Sequence, residues 1–172
     1  IVVNFISGQI ILFERPIRVG DAVTVGDVSG IVSKIRIRAT SITSWDRKEL
    51  IVPNKEFVTG RLVNWTFSDP ILRVEIPVGI AYGSDTEKAK ERMRKVAEAN
   101  EKVLQDPPPS VLFMGFGESS LDFQLRAYTK FDTMLSVRDE LNMAIDKAFR
   151  EDGIEIAFPQ RDLHIRSVED TF

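Results

Sequence analysis

Lys34, Arg36 and Arg38 alternate with Ile35, Ile37 and Ala39. On a strand, a period of two sets the three cations on one face, where they could follow a phosphate backbone. The aromatic side chains that would stack on bases are not interleaved with them, so a solvated face of alternating charge is the plainer reading. Gly115-Phe116-Gly117 resembles a phosphate-cradling loop only in its glycines. It lacks the lysine of such a loop and lies between two strand patterns, so it reads as a hairpin loop. The carboxylates fall mostly at helical surface spacing, and no pair stands in an apolar setting suited to acid–base work. There is no cysteine and one histidine, His164. Disulfides and thiolate metal sites are therefore excluded, and a histidine-based metal centre or triad is disfavoured. His164 reads as a surface or interface side chain, Trp45 as a barrel tip and Trp65 as a barrel wall. The sequence thus offers no catalytic, cofactor-binding or metal-ligating set. It points away from an enzyme, and no cofactor is expected.

The elements that carry these residues are short strands first. Between Arg15 and Asn54, Val23 and Val25 alternate with polar neighbours, and Gly26-Asp27 makes a turn. Val28, Gly30, Ile31 and Val32 follow, then the alternation of Lys34 to Ala39. A polar tip, Ser44 to Arg47, leads into Leu50-Ile51-Val52, which Pro53-Asn54 terminates. Strands so short and evenly spaced predict a small barrel. Lys55 to Gly60 reads as a helical turn, and Arg61 to Phe67 as the closing strand. Beyond Asp69-Pro70, Ile71 to Ile80 reads as a strand with Val74, Ile76 and Val78 on one face. Ser84-Asp85-Thr86-Glu87 reads as a capping box. The helix behind it carries Ala89, Met93, Val96, Ala97, Val103 and Leu104 and ends at Asp106-Pro107. Two strands, Val111 to Met114 and Leu121 to Tyr128, flank the Gly115 to Ser120 loop. A second helix buries Met134, Val137, Leu141, Ala144, Ile145, Ala148 and Phe149 and stops at Gly153. Ile154 to Phe158 and Leu163 to Val168 read as final strands. The succession is that of a ferredoxin-like α/β layer with one strand left over.

Charge divides the chain in the same place. Residues 15–68 hold nine basic and five acidic groups, whereas residues 69–160 hold twelve basic and seventeen acidic. The overall net charge of −3 implies no bulk polyanion-binding surface. Residues 1–13 are almost wholly apolar up to Glu14-Arg15-Pro16. As a helix they would span about 20 Å, short of a bilayer core of roughly 30 Å. No basic region precedes them and no small-residue cleavage site follows, so a signal peptide does not fit. Without a leading Met, the stretch reads as the cut end of a longer membrane segment; a buried terminal helix or strand is the alternative. Asn4, Gly8 and Ile11 share one helical face with Ser7 alongside, a small polar seam suited to helices or water more than lipid.

Arg15-Pro16-Ile17-Arg18-Val19-Gly20-Asp21, Gly30-Ile31-Val32, Arg38-Ala39-Thr40 and Ile51-Val52-Pro53-Asn54 resemble the signature of the small-conductance mechanosensitive channel (MscS) family. Gly79 to Asp85, Asp106-Pro107-Pro108 and Phe158-Pro159-Gln160 continue it in order over essentially the whole chain. The ending Phe158 to His164 is more like the larger multi-helix members. The resemblance implies an α+β chain: residues 1–15 the C-terminal half of a pore-lining transmembrane helix, 16–68 an Sm-like β domain, 69–160 a ferredoxin-like α/β domain, and 161–172 a strand for an axial β barrel. It implies a homo-oligomer, a heptamer, in the bacterial inner membrane with most of this chain in the cytoplasm. Membrane tension would open it to release ions and small osmolytes on hypoosmotic shock, in contact with lipid and without nucleic acid. The gate would lie upstream of Ile1. Asn4, Gly8 and Ile11 would belong to the pore helix and its hinge, with Gly8 a hinge before a packing notch. Asn4, Arg15, Pro16, Asn54 and Lys55 would couple helix to barrel, Asn4 touching the Asn54-Lys55 turn. Pro16, Gly20, Asp21, Gly30, Pro53 and Asn54 are the motif positions. Gln9 and Glu14 are polar where many relatives are apolar.

Two other classes stand beside this one. A ring-forming Sm-like RNA-binding protein would use Lys34, Arg36 and Arg38, but leaves the apolar start and the acidic second half unexplained. A ferredoxin-like enzyme would need a convergent polar pocket, which the sequence does not offer.

Overall fold

The computed structural model describes residues 2–164 and 166. The chain divides into two compact units, Ile1–Leu72 and Arg73–Phe172. No helix among the described residues is long and apolar enough to cross a membrane.

The first unit opens with α1 (Val2–Glu14), which Arg15 ends in a left-handed conformation just before Pro16. Proline cannot donate to a helix interior, so the chain must turn there. Strands β1 (Ala22–Val25), β2 (Val28–Ile35), β3 (Ala39–Thr43) and β4 (Glu49–Pro53) follow, then helix α2 (Asn54–Thr59) and strand β5 (Leu62–Asn64). The antiparallel sheet runs β4-β3-β2-β1-β5. The alternating valines and isoleucines point into one core, formed by Ile11, Ile17, Val23, Val25, Val32, Ile42, Val52 and Phe57. Gly30 lies where β2 passes β3 so closely that a Cβ would stand 2.2 Å from the Thr43 carbonyl oxygen.

The row of cations departs from expectation. Strand β2 stops at Ile35, so Lys34, Arg36 and Arg38 do not share a strand face. A bulge between Val32 and Lys34 shifts the register against β3. Beyond it, the carbonyls of Arg36, Ile37 and Arg38 are all taken by Asn54 instead of by a neighbouring strand.

The second unit contains β6 (Ile71–Ile80) from Arg73 onward, α3 (Thr86–Glu98), β7 (Ser110–Phe116), β8 (Leu121–Lys130) and α4 (Met134–Asp152). Its sheet runs β6-β8-β7, and an antiparallel bridge between Ile80 and Ile156 adds the tail beside β6. That is the ferredoxin-like order, with the fourth strand reduced to a bridge and the flanking bonds Ala81 N–H to Glu155 O and Ala157 N–H to Gly79 O. Val74, Ile76, Phe123, Leu125, Met93, Leu141 and Phe149 are among the side chains of the core between sheet and helices.

Three local expectations are corrected here. The cap of α3 is Asp85, not Ser84: its carboxylate accepts from Lys88 N–H at 3.0 Å, while Ser84 N–H bonds back to Ala81 O. Helix α3 ends at Glu98, well short of Asp106. Asn100 takes over there, its side chain accepting from Lys102 N–H and donating to Glu140, and Val103 and Leu104 follow in a turn. Residues 154–158 form the single bridge instead of a strand, because the next ladder positions in this register are Pro77 and Pro159, which have no N–H to donate. Of the expected last strand, residues 161–164 have no regular structure and are exposed, and the remainder, apart from Arg166, lies outside the described residues. The Gly117 to Ser120 turn closes the β7–β8 hairpin, with Gly117 N–H donating to Ser120 O.

Candidate functional site

The residues singled out at the start of the chain come together where α1 meets the β unit. Along α1, Ser7, Gly8 and Ile11 are buried and Asn4 is half-buried, all on one seam. The opposite face is apolar and open: Val2 is 69% exposed and Phe13 87%. A helix in water normally turns its apolar side inward. Here the small, partly polar seam is docked and the large apolar face is left outside.

Three fastenings hold the seam. At the lower end, Ile11 enters the core of the β unit and is 1% exposed. In the middle, Gly8 rests on the β2–β3 connection. A Cβ at Gly8 would stand 2.2 Å from Ile37 O and 2.7 Å from Asn54 Nδ2. Only a residue without a side chain fits this seat, and α1 is unbroken through it. Gly8 therefore occupies a packing notch in this structure. At the upper end, Lys55 N–H donates to Asn4 Oδ1 at 3.2 Å.

That last bond has a local cause. The first turn of a helix leaves amides without intrahelical partners. Pro53, in the N-cap position of α2, has no side chain able to accept from them. Asn4 supplies the missing acceptor from another helix. A capping bond is worth on the order of 1 kcal/mol, so this tie is weak enough to open and close.

Beneath the notch lies Asn54, fully buried. Its Nδ2 donates to Arg36 O at 2.8 Å and Ile37 O at 3.0 Å, and its Oδ1 accepts from Thr40 Oγ1 at 2.9 Å. Its own N–H bonds to Arg38 O. Asn54 thus fixes the β2–β3 connection as the floor on which Gly8 sits.

A second asparagine fixes the elbow after the helix. Asn64 Nδ2 donates to Pro16 O at 3.1 Å and to Asp21 Oδ2 at 2.8 Å, and the same Asp21 oxygen accepts from Arg18 N–H. Gly20, in a left-handed conformation, donates its N–H to Val32 O. Asn4, Gly8, Ile11, Asn54 and Lys55 are thus brought together, Pro16, Gly20 and Asp21 form the adjoining elbow, and Gly30 sits apart on β2. Arg15 makes the helix's last bond, to Ile11 O, and its side chain is exposed. Sequence reasoning missed Asn64, Thr40 and the Ile37 carbonyl. A polar residue at an inward position of a strand, as Thr40 is on β3, was the available signal.

The arrangement holds a helix; it has no reacting group. Residues 1–67 match the family profile described as the beta-domain of mechanosensitive ion channels, and residues 74–156 the one described as the C-terminal part of mechanosensitive ion channel MscS. The chain is 52% identical over 166 residues to mechanosensitive channel MscK of Escherichia coli strain K12, covering 95% of this chain and 15% of that protein. It is 39% identical over 166 residues to miniconductance mechanosensitive channel MscM of the same strain, with 96% and 15% covered. The crystal structure of Helicobacter pylori MscS in its closed state matches with a TM-score of 0.90 at 27% identity, over 97% of this chain and 66% of that one. The chain spans about 15% of the length of the two curated relatives. With both units matched in order, the chain belongs to the MscS family of mechanosensitive ion channels.

Proposed function

We propose that this chain is the lower pore-helix end and cytoplasmic cage of a channel subunit that membrane tension opens, releasing ions and small osmolytes on hypoosmotic shock. The observation that carries it is α1 itself, a helix with its small seam fastened to the β unit and its large apolar face open. Such a helix needs apolar surroundings that this chain alone does not supply, and a bilayer-spanning assembly of several copies supplies them. The organisation is then residues 1–15 as pore-helix end, 16–68 as Sm-like domain, 69–160 as α/β domain and 161–172 as the segment for an axial barrel. The assembly is a homoheptamer in the bacterial inner membrane, with lipid around the helices. The likeness to MscK and MscM supports a place among the larger members.

Tension favours the state of larger in-plane area, a shift of populations that needs no ligand. In this reading the Asn4–Lys55 tie couples helix angle to the barrel. Hinge action at Gly8 belongs to the release of α1 from its notch. Excised-patch recording of the full-length channel tests the function: suction should evoke currents that vanish in cells lacking the gene. No current at any tolerated tension would reject it. Native mass spectrometry checks the assembly, where a mass other than seven copies would reject the heptamer.

A further inference from the structure

The cations first noticed in the sequence remain without a task. Lys34, Arg36 and Arg38 are exposed, and among the described residues none of their side chains has an ion-pair partner. Arg73, Arg92, Arg94, Arg126 and Arg150 of the second unit, by contrast, each face a carboxylate. Unneutralised cations held on a fixed loop are a device for meeting an anion from outside.

The loop's surroundings say which kind. Arg36, Ile37, Arg38, Ala39, Ser41 and Ile51 line an open groove of about 570 Å³. Ile37 is 58% exposed and Ile51 71%, so two bare aliphatic side chains line the groove beside the arginines. Inorganic phosphate gains nothing from exposed isoleucines. A phospholipid offers both a phosphodiester and acyl chains. The loop is also rigid: Asn54 holds the Arg36, Ile37 and Arg38 carbonyls, and Gly8 of the apolar-faced α1 rests on Ile37 O. The cations therefore sit at the flank of the helix that the proposed function places at the membrane. Juxtamembrane basic side chains bind anionic lipid there, with their aliphatic stems lying along apolar surface.

We propose that the β2–β3 connection is a docking site for the anionic headgroups of the lipid surface, Arg36 and Arg38 holding the phosphodiester and Ile37 and Ile51 contacting acyl chains. This rests on the membrane placement in the proposed function. It adds a tie between the barrel and the lipid beside the tie between the barrel and α1.

Flotation of the 172-residue chain with vesicles tests it, comparing phosphatidylcholine alone with phosphatidylcholine mixed with phosphatidylglycerol. Binding should be greater with phosphatidylglycerol. Each basic residue contributes about fivefold, so Arg36→Gln/Arg38→Gln should lose roughly thirtyfold of that gain. Arg47→Gln/Lys48→Gln is the charge-matched control. It lies beyond the other end of the β3–β4 ladder, about 20 Å away at about 3.3 Å per residue, and should lose much less. Equal binding to both vesicles, an unchanged double variant, or an equal loss in the control would overturn the proposal. So would displacement by inorganic phosphate beyond that caused by sodium chloride of the same ionic strength, which would mark a free-anion site. Patch recording of full-length Arg36→Gln/Arg38→Gln separates the two readings. Tension-evoked current with lost lipid preference leaves the channel reading standing, and retained lipid preference without current in the wild type rejects only the channel reading.

Discussion

Asn54 illustrates how much one side chain can decide. It is buried, and its three side-chain bonds reach Arg36 O, Ile37 O and Thr40 Oγ1. Removing it orphans two carbonyls and a hydroxyl at about 1–3 kcal/mol each, partly recovered by entering water. Asn54→Ala is therefore expected to lower unfolding free energy by about 3 kcal/mol in urea titrations. Asn54→Asp should be no better, because a carboxylate cannot donate to two carbonyls. A loss below about 1 kcal/mol in both would contradict this assignment. Gly8→Ala places a methyl group against Ile37 O and should cost about 1–3 kcal/mol as α1 is pushed from its seat. Protection of the Lys55 amide from hydrogen exchange should fall with it, and unchanged protection would argue against the notch. Gly8 was legible as special from a glycine on a helical seam, whereas Pro53-Asn54 read only as a strand end and Asn54 stood out through the family resemblance alone. Their chemistry was not legible, because Asn54's partners are backbone carbonyls 17 and 18 residues away, to which alternation of side chains is blind.

At the scale of elements, the sequence pattern was most reliable where burial repeats and least where one polar side chain sets a boundary. Most strands of the two sheets and the apolar stripe of α4 follow directly from periodicity. The cap of α3 does not, since Ser84 and Asp85 are both good caps and only backbone geometry chooses. Asp85→Ala should cost about 1 kcal/mol and Ser84→Ala much less; the reverse order in thermal unfolding would restore the capping box. The early end of α3 has a similar origin. Asn100 and Lys102, in the turn that replaces the last expected helical residues, both bond to Glu140 on α4. Lys102 first, and then Asn100, hold the Glu140 carboxyl below its ordinary range. A lowered carboxyl pKa adds stability above the unfolded value, and that stability is lost as pH falls through the folded one. The turn should thus loosen below roughly pH 4.3, the ordinary glutamate value, and Glu140→Gln should flatten this part of a urea-midpoint profile against pH. An identical acid slope in the variant would show that the tie carries no such linkage. Strand β2 teaches the same lesson. Alternation ran through Arg38 in the sequence, and the bulge at Ser33 with the pull of Asn54 ended the strand at Ile35.

For the whole molecule, the order of parts was legible because each has its own period and the charge changes sign between them. What joins the parts was only partly so. The seam of Asn4, Gly8 and Ile11 could be read from helical spacing, whereas the bond at its upper end depends on Pro53 leaving α2 without a cap. The upper fastening is one weak bond between α1 and α2, and in the proposed function it adjusts how long the channel stays open or how fast it recovers. A tie on the order of 1 kcal/mol shifts an equilibrium by about fivefold. The direct measurement is patch recording of the full-length channel carrying Asn4→Ala under sustained tension. The expected result is a severalfold change in the rates of inactivation and recovery while tension still opens the channel; unchanged rates would contradict the coupling of helix to barrel through Asn4.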